Sequence, residues 1–201
     1  MTVIGITGPS GAGKGEVSRI LNEKYLFPIL NADEIYHSQV SSPSPCLEEI
    51  KSEFGEKVIT QSGSLDRRAL ADIVFGDNNK EKLAILNKIT HKHVVAEIET
   101  SLQALSKTAK SCVIDAPLLI EAGLTQKCDI TFCVLAPKDV RAARISKRDN
   151  ISTEAALKRI NSQKEDNFYI ENTDLVIIND GDISLLSTQI ESIMQDRGII
   201  T

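Results

Sequence analysis

Gly8-Pro9-Ser10-Gly11-Ala12-Gly13-Lys14 is the stretch whose setting decides the fold. Before it, Val3-Ile4-Gly5-Ile6-Thr7 is short, apolar and β-branched, which reads as a buried strand. After it, Gly15 to Leu26 carries Val17, Ile20 and Leu21 at helical spacing. Strand, glycine-rich loop and helix form the context in which this pattern binds phosphate. The glycines let successive backbone N–H groups curl around one anion, and the helix N-terminus adds partial positive charge. Lys14 supplies a mobile cation for the outer phosphates of a nucleotide. One position departs from the pattern. A Ser or Thr normally follows the lysine and its hydroxyl ligates magnesium, whereas here Gly15 and Glu16 follow. Magnesium is then expected to be held through waters and a carboxylate, since it keeps much of its hydration shell.

Working outward, apolar strands alternate with helical segments. Phe27 to Leu30 reads as a second strand ending at Asn31-Ala32-Asp33, Ser111 to Asp115 as a third, Asp129 to Leu135 as a fourth and Leu175 to Asn179 as a fifth. A final helix is expected from Ile183 to Met194. Buried strands linked by helices imply a parallel sheet with right-handed crossovers. The fold class is therefore α/β: a three-layer domain of the P-loop NTPase type with a five-stranded parallel sheet. Residues 34–106 carry helical patterns broken at Ser41–Pro45 and at Thr60–Gly63. That stretch is too long for a simple crossover, and reads as a helical substrate subdomain over the strand ends, where such sheets bind ligands.

Composition narrows the classes. The chain has 201 residues, 41% hydrophobic content and a net charge of −5. These values suit one domain with a subdomain, and general attraction to nucleic acid is not expected. No apolar run approaches a membrane span, and the first strand signal leaves no room for a signal peptide. The expected location is the cytoplasm. Cys46, Cys112, Cys128 and Cys133 form no Cys-x-x-Cys pair. Cys112 and Cys133 lie in strand-like runs and read as buried, reduced thiols.

Three groups of side chains carry candidate chemistry. Asp33 and Asp115 end the second and third strands, so both should point toward the phosphate loop. One could take a proton from an attacking hydroxyl and the other orient magnesium, although Asp also suits helix caps and turns. Arg141, Arg144 and Arg148 fall on one helical stripe, with Lys147, Lys158, Arg159 and Lys164 following. Such a run is either a solvated helix face or a lid of cations over the triphosphate. Its place after the fourth strand favours the lid for Arg144 and Arg148. Arg67 and Arg68, after Asp66, suit an anionic acceptor, an exposed helix start, or an ion pair with Asp66 or Asp72. His91 reads, on the residues alone, as a polar residue satisfied within helix packing.

With these pieces in hand the chain resembles the dephospho-coenzyme A kinase family over nearly its whole length. The resemblance rests on the Gly8–Lys14 loop, Asn31-Ala32-Asp33-Glu34-Ile35, Leu65-Asp66-Arg67-Arg68-Ala69-Leu70, and Leu86-Asn87 with Thr90-His91. It continues through Asp115-Ala116-Pro117-Leu118-Leu119-Ile120-Glu121, Arg144-Ile145 with Arg148-Asp149, Arg159-Ile160 with Gln163, and Asn179-Asp180-Gly181. The resemblance implies ATP-dependent phosphorylation of the ribose 3′-hydroxyl of dephospho-coenzyme A, the last step of coenzyme A synthesis. A nucleoside or nucleotide kinase of the same architecture, or a catalytically weakened nucleotide-binding protein, are the alternatives. It implies a core over about residues 1–33, 108–138 and 170–201, an acceptor subdomain over 34–107 and a lid over 139–169. Asp33 matches the carboxylate taken as base. Lys14, Arg144 and Arg148 join it as catalytic residues. Gly11, Ala12, Gly13, Lys14, Gly15, Glu16 and Asn179 are implied to hold ATP, and Arg67, His91, Pro117 and Leu118 the acceptor. Asp115 is expected to hold magnesium through water, because Glu16 should point away into solvent. The expected partners are small molecules only. The chain departs from the family at Asn31, where Asp is frequent, and at His37, where Arg is frequent. Lys92 stands where Pro usually follows the His, and Gly15-Glu16 stand for Ser-Thr. Gly15 is similar to the Gly-Lys-Gly loop of adenylate kinases.

Overall fold

The computed structural model describes residues 1–75 and 79–200. Residues 76–78 of the expected acceptor segment and residue 201 lie outside the described residues. The chain divides into two units, one of residues 1–30 and 104–201, the other of residues 31–103.

The first unit is built on β1 (Thr2–Thr7), β2 (Ile29–Asn31), β3 (Ser111–Asp115), β4 (Ile130–Leu135) and β5 (Leu175–Ile178), in the order β2-β3-β1-β4-β5. Strand β1 is central and parallel to both neighbours, with Ile6 opposite Asp115 on one side and Phe132 on the other. Every residue of β3 and β4 is buried, which is why both read as unbroken apolar runs rather than as alternating ones. Helices α1 (Lys14–Tyr25) and α9 (Ile183–Asp196) cover one face, where Val17, Leu21, Leu186 and Ile190 pack with Ile4, Ile6, Phe132 and Ile177. Burying each such side chain contributes about 1.5–3 kcal/mol. On the other face Cys133 and Leu135 pack with Tyr169 of α8 (Asp166–Glu171). Between β4 and α8 run α6 (Lys138–Asp149) and α7 (Thr153–Asn161), joined by a core of Ala142, Ile145, Ala156 and Ile160.

The second unit is helical. It contains α2 (Ala32–Ser41), α3 (Pro45–Phe54), α4 (Arg67–Val74) and most of α5 (Lys80–Leu105). Its breaks fall at the expected places. Ser44 caps α3 by accepting from the Leu47 N–H, with Pro45 at the first helical position, where its missing donor costs nothing. Thr60 and Ser64 close the Thr60–Gly63 turn through hydroxyl and backbone bonds. Val40, Leu47, Ile50, Val58, Leu65, Leu70 and Ile89 form its own core.

Several strand boundaries differ from the sequence reading: β2 starts at Ile29 rather than Phe27, and β5 stops at Ile178, before Asn179. Asp33 does not end the second strand; it is the second residue of α2. The Asn31 side chain accepts from the Asp33 and Glu34 N–H groups at 3.0 and 3.1 Å, which starts the helix directly out of β2. An Asx cap of this kind overrides continuation of the strand. Asp129, expected inside the fourth strand, lies just before it and accepts from the Val3 N–H at 2.7 Å.

Candidate active site

In the first unit the loop after β1 has Gly8, Gly11 and Gly13 at φ values of 140°, 79° and 96°. Space is as limiting as conformation. A Cβ at Gly8 would strike the Val134 carbonyl oxygen, and one at Gly13 the Asn179 side chain. Gly15 differs. It has no left-handed backbone, and a Cβ there would meet nothing within 4 Å. The missing hydroxyl is therefore no steric requirement of this loop.

Polar side chains fasten the loop by its carbonyls. Lys14 Nζ donates to Gly8 O at 2.8 Å and to Pro9 O at 3.3 Å. Arg144 Nη1 donates to the Gly11 and Ala12 carbonyls, each at 3.2 Å, and Nη2 to Asn179 Oδ1 at 3.0 Å. Asn179, just past β5 and buried, donates through Nδ2 to Ala12 O at 3.0 Å. The loop carbonyls are thus held by the chain's own side chains. Arg148 is placed otherwise. It is exposed and pairs with Asp149 at 2.7 Å, which also binds Arg159. The two cations hold the Asp149 carboxyl down at about 2. This bridge fastens the end of α6 to α7.

Asp115 closes β3 beside β1 and is buried. Its Oδ2 accepts from Ser18 Oγ at 2.7 Å, and Ser18 is itself buried one helical turn past Lys14. Glu16 turns to Arg19 and pairs with it on the outer face of α1. Pro117 follows β3, its carbonyl accepting from Thr7 Oγ1 at 3.1 Å, and Leu118 is exposed. Among the described residues no three His, Cys, Asp or Glu side chains converge as a metal cage. One strand-end carboxylate suits magnesium, which needs few protein ligands when it keeps its waters.

The second unit holds the remaining candidates. Asp33 is exposed in the first turn of α2. Arg67 opens α4, whose cap is Asp66: its Oδ1 accepts from the Arg68 and Ala69 N–H groups at 3.0 Å. Asp66 is thus a cap, and the Arg67 guanidinium instead meets His37 Nδ1 of α2. His91 lies midway along α5, partly buried.

Sequence reasoning missed the engagement of Ser18 and Gln163, and passed over Arg141 in favour of its stripe-mates. Arg141 is 4% exposed, where a charge stripe suggests a wet face. The departure from an otherwise acidic chain was the available signal for Arg141. Ser18 had none, because its partner lies 97 residues away.

A central parallel strand that feeds a glycine loop, a lysine-led helix and a clamp of arginine and asparagine defines a phosphate-loop kinase architecture. The sequence profile described as dephospho-CoA kinase matches residues 2–184. A dephospho-CoA kinase of Carboxydothermus hydrogenoformans is 36% identical over 97% of this chain and 94% of its own. The crystal structure of TT1252 from Thermus thermophilus superposes with a TM-score of 0.79 at 29% identity, covering 97% of each chain. Dephospho-CoA kinase from Campylobacter jejuni superposes at 0.61 with 28% identity, over 97% of this chain and 96% of that one. The chain belongs to the dephospho-CoA kinase family. Among the described residues no helix is long and apolar enough to cross a membrane.

Proposed function

We propose that this chain transfers the γ-phosphoryl group of ATP to the ribose 3′-hydroxyl of dephospho-coenzyme A, giving coenzyme A and ADP in the cytoplasm. The observation that carries the reading is the reach of the family match through residues 31–103, a unit that no generic phosphate loop requires. Gly11 to Glu16 hold the nucleotide phosphates through backbone N–H groups, and Lys14 moves from the Gly8 and Pro9 carbonyls to the β- and γ-phosphates. Asp33 accepts the proton of the acceptor hydroxyl as its oxygen attacks phosphorus. Arg144 and Arg148 set positive charge against the transferring group while Asn179 keeps Arg144 on the loop. Arg67, His91, Pro117 and Leu118 bind the acceptor, with the Arg67 fork suited to its phosphates. Magnesium, when bound, neutralises charge on the β- and γ-phosphates, and Asp115 would hold it through water. Residues 34–107 serve as the acceptor subdomain and residues 139–169 as the lid.

The test is ADP release measured with dephospho-coenzyme A, AMP and nucleosides as rival acceptors. Preference for dephospho-coenzyme A by orders of magnitude in kcat/KM is expected. Equal or better use of a nucleotide or nucleoside would transfer the assignment to that acceptor. Nucleotide binding without turnover on any of them would make the chain a binding protein.

A further inference from the structure

Arg141 places a guanidinium inside the first unit, and burial pushes its pKa below the ordinary arginine value despite the opposing Asp166 carboxylate. A buried cation persists only where its donors are matched. Here Nε donates to Ser10 O at 3.1 Å, Nη2 to Gln163 Oε1 at 3.2 Å and Nη1 to Asp166 Oδ1 at 3.3 Å. The same Gln163 oxygen accepts from the Ser10 N–H at 3.1 Å. Both backbone polar groups of Ser10 are therefore captured, one by Arg141 and one by Gln163. The next loop residue rests on the Arg141 backbone: a Cβ on Gly11 would lie 2.7 Å from Arg141 O. Gln163 lies in the turn between α7 and α8.

We propose that Arg141 and Gln163 are positioning residues that latch the tip of the phosphate loop to the α7–α8 turn, so that nucleotide affinity depends on that turn. This rests on the nucleotide-binding reading above. A loop whose tip is fixed in advance loses less conformational freedom when the nucleotide arrives, and the latch works through that saving rather than by touching the phosphates. It also makes the coupling reciprocal: a nucleotide that prefers the latched loop stabilises the turn that carries Gln163 by the same factor.

The experiment is calorimetric titration with ADP of the parent chain, Gln163→Ala, Arg141→Gln and the double variant, each with its Tm. Gln163 is only partly buried, so Gln163→Ala is the variant that folds and carries the test if Arg141→Gln does not. Each single change is expected to raise the ADP Kd about tenfold, the cost of ordering one more backbone residue when the nucleotide binds. The double variant should weaken binding about as much as the larger single change, because both cut one latch. Hydrogen exchange at the 162–165 turn should slow on ADP binding in the parent and not in Gln163→Ala. A folded Gln163→Ala that binds ADP within twofold of the parent, or single effects that multiply in the double variant, overturns the latch alone. A parent chain that binds no ADP overturns the nucleotide reading and the latch with it.

Discussion

The two units hold their candidate residues by different means. In the sheet-bearing unit the phosphate loop is gripped through its backbone carbonyls by Lys14, Arg141, Arg144 and Asn179, three of which come from elements more than 120 residues away. In the helical unit Asp33 and Arg67 sit at helix starts, held there by the local caps Asn31 and Asp66. The loop is held by side chains distant in sequence, whereas the Asp33 and Arg67 backbones are set by near neighbours, with the Arg67 guanidinium meeting His37. On the proposed roles nucleotide binding draws on the first unit, whereas the proton acceptor Asp33 and two of the four acceptor-binding candidates, Arg67 and His91, lie in the second. Variants in the two should separate affinity from turnover.

Lys14→Ala is the harshest test of that division. It should remove about 3–4 kcal/mol of transition-state stabilisation, a several-hundredfold loss of kcat/KM, with Tm nearly unchanged. Near-normal turnover of the folded variant would break the assignment of the loop. Asp33→Asn keeps shape and cannot accept a proton. It should lower kcat about a hundredfold, within the range of general-base catalysis, while ATP affinity holds. If ATP affinity collapsed and saturated turnover survived, Asp33 would belong with the binding residues and the contrast would fail.

How far these contrasts were legible in the sequence depends on distance along the chain. The five strands and the breaks at Ser41–Pro45 and Thr60–Gly63 carry local signals, in apolar runs and turn residues. All are present, with the ends of the second, fourth and fifth strands displaced from the reading. The loop and Lys14 were legible for the same reason. Asn31, the residue that converts strand to helix, reads equally as a turn, so the sequence alone carries the second strand on to Asp33. Arg141 was hidden because periodicity places a side chain on a stripe and cannot say what covers the stripe. The Ser18–Asp115 bond and the Ser10–Gln163 bond join residues 97 and 153 apart and leave no periodic trace.

Magnesium sharpens the comparison with a smaller effect. Asp115→Asn should raise the magnesium concentration for half-maximal rate several-fold, and Glu16→Gln, on the outer face of α1, much less. Gly15→Ser puts a hydroxyl into open space and should lower that concentration without changing Tm. An unchanged requirement in Asp115→Asn, or a larger effect from Glu16→Gln, would reject Asp115 as the anchor.

The smallest expected effect concerns the thiols. Burial pushes Cys46 and Cys112 up to about 11 and Cys128 to about 12, and raises Cys133, so thiolate is scarce at pH 8 and labelling needs opening of the fold. Cys46 lies in the helical unit and Cys112 and Cys133 in central strands. Mass-resolved labelling should modify Cys46 sooner than those two. Simultaneous modification would mean the two units open together.

Strand β1 carries one further consequence, for the birth of the protein. Its partners β3 and β4 begin at Ser111 and Ile130, so β1 is made long before either neighbour in the sheet. At translation rates of about 5–20 residues per second, the N-terminal segment waits roughly 5–20 s for its first neighbour in the sheet. During that interval an apolar strand with both edges open follows the nascent chain. Strand β1 is therefore a segment that chaperones are expected to shelter during synthesis.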